Sequence, residues 1–134
     1  MKQIRFYQII TAVCCLLLIS CGIDKNLKKG EKFLALGEYY DAADQFKQAY
    51  TKTPSKERAS RGKIALKMAR CYDKINSTPQ AIAAYRNAVR YNQASIDDRL
   101  AYARLLLKNG EYKQAEKEFR ILVDSLPDNV LARN

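Results

Sequence analysis

The chain has 134 residues, a length that suits one domain, and carries 24 lysines and arginines against 14 aspartates and glutamates, a formal net charge of +10. It contains no histidine, which excludes histidine-ligated metals, Ser-His-Asp triads and Cys-His nucleophile pairs. The positive charge points to nucleic acid, an anionic membrane surface or an acidic partner.

The start of the chain has the composition of an export signal. Lys2 and Arg5 form a short basic region, and residues 9–19 form an apolar run that is interrupted only by Thr11. This run is shorter than the roughly 20 residues that a membrane-spanning helix needs. It fits the apolar region of a secretory signal, which is removed from the mature protein.

The residues that follow the apolar run, Leu18-Ile19-Ser20-Cys21, resemble the lipobox of bacterial lipoproteins. The resemblance implies a signal peptide over residues 1–20, cleavage between Ser20 and Cys21, and acyl chains such as palmitate on Cys21. Residues 21–25 would then form a lipidated tether. The alternative is an ordinary signal peptide with a chance cysteine.

The residue after this cysteine is Gly22. An aspartate there often retains lipoproteins of this kind in the inner membrane, so the resemblance implies the bacterial outer membrane. No acidic run follows, which favours the periplasmic face over surface display. Export also argues against nucleic acid as the partner of the basic chain.

One apolar pattern recurs three times in the rest of the chain. Small, aromatic and small or aliphatic residues follow one another at i, i+4 and i+7, the spacing of one helix face. The last two copies are 34 residues apart, and the first two are 39 apart, so five residues are inserted between them. The three copies are Ala42, Phe46 and Ala49; Ala81, Tyr85 and Ala88; and Ala115, Phe119 and Leu122.

This pattern resembles the tetratricopeptide (TPR) repeat, although the tryptophan that is usual in that family is absent. The resemblance implies an all-α solenoid of three helix-turn-helix repeats over residues 26–134. The repeats would span residues 26–56, 57–95 and 96–129, and residues 130–134 would begin a further helix. The repeat core would contain Ala42, Phe46, Tyr72, Ala81, Tyr85, Ala115 and Phe119.

Local signals place the helix ends. Gly110 suits the left-handed residue that ends a helix, and Asn76 stands at the equivalent position of the second repeat. Ser55 and Ser77 are predicted N-caps, and Ser95 with Asp98 resembles a capping box. The six predicted helices cover residues 26–36, 40–52, 56–74, 77–91, 96–109 and 113–125, with the five inserted residues lengthening the start of the third.

Cys71 is the one cysteine beyond the signal and the lipobox, so we expect no intrachain disulfide. It lies in a helix that should pack, which favours a small buried apolar residue. The alternative is a reactive thiol.

In TPR proteins the first helix of each pair lines a concave groove. Carried over residue by residue, the resemblance places six cations in that groove: Lys63, Lys67, Arg70, Lys74, Arg104 and Lys108. Such a groove suits an acidic or C-terminal peptide segment, because arginine binds carboxylates with two parallel hydrogen bonds. The alternative is a face that is merely solvated.

No phosphate loop, cysteine pair or metal-ligand spacing occurs, so we expect neither catalysis nor a cofactor. We expect a lipid-anchored scaffold that binds envelope proteins, with the membrane held through acylated Cys21. A second hypothesis is the membrane-proximal part of a longer OmpA-like lipoprotein, linked to type IX secretion or bound to peptidoglycan through downstream domains. A third is an assembly factor for outer-membrane proteins. The first turn of the first helix is basic. We expect it either to lie near lipid head groups or to be solvated.

Overall fold

The computed structural model describes residues 1–126, with side chains described for all of these except residue 16 and residues 18–20. This part of the chain contains six α-helices and no strand, which confirms the predicted all-α class. Pro127 and the predicted further helix at residues 130–134 lie outside the described residues. The helices are α1 (Lys2–Ala35), α2 (Tyr39–Lys52), α3 (Arg58–Lys74), α4 (Thr78–Arg90), α5 (Ile96–Lys108) and α6 (Tyr112–Asp124).

Helix α1 corrects two expectations, because residues 21–25 are helical instead of forming a tether and the helix does not begin at Asn26. Ile23 packs into the core between α1 and α2, so this segment already belongs to the solenoid. The Asn26 amide nitrogen donates hydrogen bonds to the Gln45 and Gln48 side chains at 2.9 and 3.1 Å, and its oxygen accepts one from the Lys52 ammonium at 2.7 Å. A single glycine at position 22 does not end a helix that is held on both sides of it.

The first part of α1 extends away from the solenoid. Residues 1–15 are exposed throughout, and they include the large apolar side chains of Ile4, Phe6, Ile9 and Val13. Among the residues that the structure describes, none of the helices combines the length and the apolar character needed to cross a membrane.

Four helices end at a residue with positive φ, and at each of these ends the next N–H group bonds a carbonyl five residues earlier at 2.9 Å. This turn is the Schellman motif, which satisfies carbonyls that the helix leaves free. The left-handed turns expected at Gly110 and Asn76 are therefore confirmed, and the described residues add two more, after α1 and after α4. The four residues are Gly37 (φ 75°), Asn76 (φ 57°), Asn92 (φ 56°) and Gly110 (φ 80°).

The starts of the helices follow the predicted caps only in part. The capping box of α5 is confirmed, since Ser95 Oγ accepts from the Asp98 N–H at 3.2 Å and the Asp98 carboxylate accepts from the Ser95 N–H at 3.0 Å. Ser77 occupies the cap position of α4, but its hydroxyl donates to the Gln80 side chain instead.

The expected cap of α3 at Ser55 is wrong. Residues 55–56 form a turn after Pro54, and the helix begins at Arg58 with Glu57 at the cap position. The helix has 17 residues where α5 has 13, so most of the five-residue insertion is an extra helical turn, as expected.

Each helix packs mainly on the next one along the chain, the arrangement of a solenoid. One apolar cluster joins α1, α2 and α3, a second joins α3 to α6, and Met68 and Tyr72 pack against both. Of the repeat-core residues predicted from the sequence, five are fully buried and two, Tyr72 and Phe119, are partly buried. The fully buried ones are Ala42, Phe46, Ala81, Tyr85 and Ala115.

Candidate binding groove

A cleft of about 420 Å³ opens between α1 and the first half of α3. Ile23, Leu27 and Ile64 supply apolar surface, and Lys63 and Lys67 stand on the α3 side. These lysines are two of the six predicted groove cations. Asp24 and Glu57 line the cleft as well, so it combines an apolar surface with charges of both signs.

Lys67 is not free for a partner, because its ammonium forms a salt bridge with the Glu31 carboxylate of α1. The same ammonium lies 5.6 Å from the centre of the Phe46 ring. Lys63 is exposed and has no salt bridge within the part of the chain described here. Lys63 is thus the cation of this cleft that remains open to a ligand.

Arg70 has a structural role that its spacing in the sequence does not reveal. Its Nε and one terminal nitrogen donate to the two Asp98 oxygens at 3.0 and 3.1 Å, which ties α3 to α5. Asp98 is 5% exposed and also belongs to the capping box of α5. Burial acts to raise the pKa of Asp98, but the hydrogen bonds from Ser95 and Arg70 outweigh it and lower that pKa.

We expect Arg70→Ala to lower the free energy of unfolding at neutral pH by about 1 kcal/mol. A hydrogen bond to a charged group contributes about 1.5–3 kcal/mol, and the exposure of Arg70 reduces that figure. Because the pKa of Asp98 is lowered in the fold, its stabilisation is complete above the unfolded value near 3.9 and is lost as pH falls through the folded value. Urea unfolding of both proteins at neutral pH and at about pH 2 measures the difference, which should vanish in acid.

The matched control is Arg104→Ala, since Arg104 is also an exposed arginine on a first helix and has no salt bridge within residues 1–126. Its stability should equal that of the unchanged protein at both pH values. A loss that is the same for Arg70→Ala in acid and at neutral pH would show that the guanidinium acts through packing alone.

A second, shallower depression of about 250 Å³ lies between α3 and α5. Arg104 and Lys108 line it together with Asp73 and Leu105. Lys74, the last of the six predicted cations, is exposed at the end of α3. Two of the six cations are therefore held by carboxylates of the solenoid, and four are exposed without such a partner in the described residues: Lys63, Lys74, Arg104 and Lys108.

Cys71 lies beneath this surface and is 1% exposed. Burial, together with the nearby Glu31 carboxylate, raises the pKa of its thiol to about 11. The thiol is therefore protonated at neutral pH and out of contact with solvent, which makes it a packing residue of the first apolar cluster. Within residues 1–126, acidic and cysteine side chains do not gather into a group that could hold a metal ion.

The extra turn of α3 builds a cluster that the sequence did not reveal. The Arg61 guanidinium lies 4.1 Å from the centre of the Tyr50 ring and donates to the Thr53 carbonyl at 2.7 Å. Arg58 and Arg90 lie 5.4 and 5.2 Å from the centre of the Tyr91 ring. These cation–π contacts hold the end of α2, the start of α3 and the end of α4 together. The sequence feature related to this cluster is the five-residue insertion that lengthens the start of α3.

The comparisons with known proteins agree with this geometry. Residues 76–134 match the family described as Tetratricopeptide repeat. The fold is a TPR-type helical solenoid. The chain is also 31% identical over 112 residues to DnaJ homolog subfamily C member 3 of Gallus gallus. The aligned region covers 83% of this chain but only 21% of the length of that curated relative. TPR domains generally bind protein partners, so the fold supports a protein-binding scaffold.

Proposed function

We propose that this protein is a lipid-anchored scaffold that binds partner proteins at the periplasmic side of the bacterial outer membrane. The observation that carries the binding role is the cleft between α1 and α3, with its apolar surface and the open cation Lys63. Arg104 and Lys108 extend the positive surface to α5. An acidic or C-terminal segment of an envelope protein would place its apolar side chains in the cleft and its carboxylates on Lys63, Arg104 and Lys108.

The anchoring role rests on α1. Its first half exposes large apolar side chains, Ile9 and Leu17 among them, that pack against nothing in the described solenoid. Before cleavage this segment would contact the membrane, as the apolar region of an export signal does, and cleavage after Ser20 would remove it from the mature protein. The signal-like run ends beside Cys21, whose exposed side chain is accessible to acylation. Two or three acyl chains on this cysteine would hold the protein on the membrane, since one chain alone binds only marginally.

Crosslinking in the source bacterium tests the proposal. We expect a photoreactive residue at position 63 or 104 to capture the same discrete envelope protein, because both positions border the proposed groove. Adding Arg104→Ala and Lys108→Ala to the position-63 variant should weaken the capture severalfold, since rim cations accelerate encounter and fix orientation. The yield is measured on blots of the membrane fraction.

Positions 47 and 117 provide the controls, because these lysines are also exposed but lie on the second helices of their pairs. Equal capture from the control positions, or an unchanged yield in the double variant, would contradict the groove. The intact mass of the same purified protein tests the anchor. A mass of residues 21–134 plus acyl chains supports it, and a mass that still contains Met1 without lipid overturns it.

A further inference from the structure

The second half of α1 has two opposite faces. One face packs on α2 through Ile23, Leu27, Phe33 and Leu34, and Gly30 is buried between them. The opposite face carries a run of exposed residues at i, i+4, i+7, i+8 and i+11, which is one stripe of a helix with 3.6 residues per turn. We call it the lysine face, and it consists of Cys21, Lys25, Lys28, Lys29 and Lys32.

The lysine face carries a dense positive charge that the solenoid does not neutralise. Within residues 1–126 no salt bridge joins any of its four lysines to a carboxylate. An open depression of about 630 Å³ lies along it, lined by Leu17, Cys21, Asp24, Lys25, Lys28 and Lys29. The cations therefore stand next to both the proposed acylation site and the end of the exposed apolar segment.

We infer that the lysine face lies on the membrane and binds the anionic head groups of phospholipids. This inference rests on the proposed lipid anchor, because acyl chains on Cys21 would bring the face to the bilayer surface. Lys29 is eight residues beyond Cys21, which corresponds to about 12 Å along a helix. This length is only slightly longer than the Debye length of about 8–10 Å, so Lys25, Lys28 and Lys29 lie within reach of the surface potential.

The side of α1 that borders the groove is a different one. Leu27 lines the cleft with α3, and Glu31 forms its salt bridge with Lys67 of α3, while Asp24 lies at the border between the two sides. A membrane bound to the lysine face therefore leaves the groove open to solvent. An acidic protein would meet the same charges, but the position of the face beside Cys21, the proposed acylation site, favours a lipid surface.

Sedimentation with vesicles tests the inference on the processed chain, residues 21–134, purified without acyl chains. Residues 1–15, which it lacks, are exposed and are not part of the apolar clusters of the solenoid. The vesicles consist of phosphatidylcholine alone or mixed with phosphatidylglycerol, and the readout is the increase in binding that the anionic lipid produces. The test variant is Lys25→Gln, Lys28→Gln and Lys29→Gln together. It should reduce this increase by roughly fivefold for each lysine removed, and added salt should have the same effect.

The matched control changes three exposed lysines on α2 and α6: Lys47→Gln, Lys113→Gln and Lys117→Gln. It has the same net charge as the test variant, and it should keep the full increase. Circular dichroism checks that both variants are folded. An equal loss in the two variants would show a net-charge effect and overturn the inference, as would binding that does not depend on phosphatidylglycerol. All three proteins lack the apolar residues 1–20, so they differ only in which lysines are changed, and the mass of native Cys21 reports on the anchor separately.

Discussion

Phe46→Ala should lower the free energy of unfolding by about 3–5 kcal/mol, the range for removing a large buried aromatic side chain. Phe46 is 0% exposed and is among the largest fully buried side chains of the described residues. It belongs to the cluster that joins α1, α2 and α3, so the cavity that the substitution leaves would remove packing contacts from all three helices. Urea unfolding followed by circular dichroism measures the change.

Tyr40→Ala is the matched control on the same helix, because Tyr40 is 71% exposed. Its substitution should change the free energy of unfolding by no more than about 0.5 kcal/mol, as is usual at the surface. If the two variants unfold at similar urea concentrations, Phe46 does not occupy the core position described here.

Gly30→Ala should destabilise the protein by about 1–3 kcal/mol through overpacking, although alanine is the better helix former. In an open helix the same change would stabilise by up to about 1 kcal/mol. At Gly30 the added Cβ would lie 2.5, 2.8 and 2.9 Å from three atoms of the Phe46 ring. Since Phe46 is enclosed by the core, its ring has little room to move and the steric cost exceeds the gain in helix propensity. The urea midpoint of the variant measures the result.

Gly22→Ala provides a control on the same helix with the opposite expected sign. Its Cβ would meet only the Lys52 side chain, at 3.8 Å, which is ordinary contact. Combining Gly30→Ala with Phe46→Leu should cost less than the sum of the two single changes, because the smaller side chain makes room for the new methyl group. Additive effects in this double variant would show that the close contact is not the cause.

The backbone signals of this chain are local, which is why the helices could be predicted closely. A glycine or asparagine that reaches the left-handed region, and a serine three residues before an aspartate, each act within a few residues. The predicted ends of α2, α4, α5 and α6 therefore lie within one residue of those in the structure. The start of α3 was wrong by two residues because Ser55 has the chemistry of a cap but the turn after Pro54 continues beyond it.

The groove could be predicted only in outline. Position in the repeat placed Lys63, Arg104 and Lys108 beside the clefts, but it treated Lys67 and Arg70 as equally free. Their partners are Glu31 and Asp98, which are 36 and 28 residues away along the chain. Spacing along one helix carries no information about which carboxylate a neighbouring helix presents.

Periodicity and chain-breaking residues act on the backbone where they stand, so the helix pairs, the left-handed ends at Asn76 and Gly110 and the three-repeat solenoid could be predicted from the sequence alone. Three features became visible only in the packed structure: α1 continues through residues 21–25, carboxylates bind two of the predicted groove cations, and Arg58, Arg61 and Arg90 gather around Tyr50 and Tyr91. These features depend on contacts between helices that pack after they form. These contacts are stabilised by burial and by charges brought together across the solenoid. The spacing of residues on a single helix predicts neither the burial nor the charge pairs.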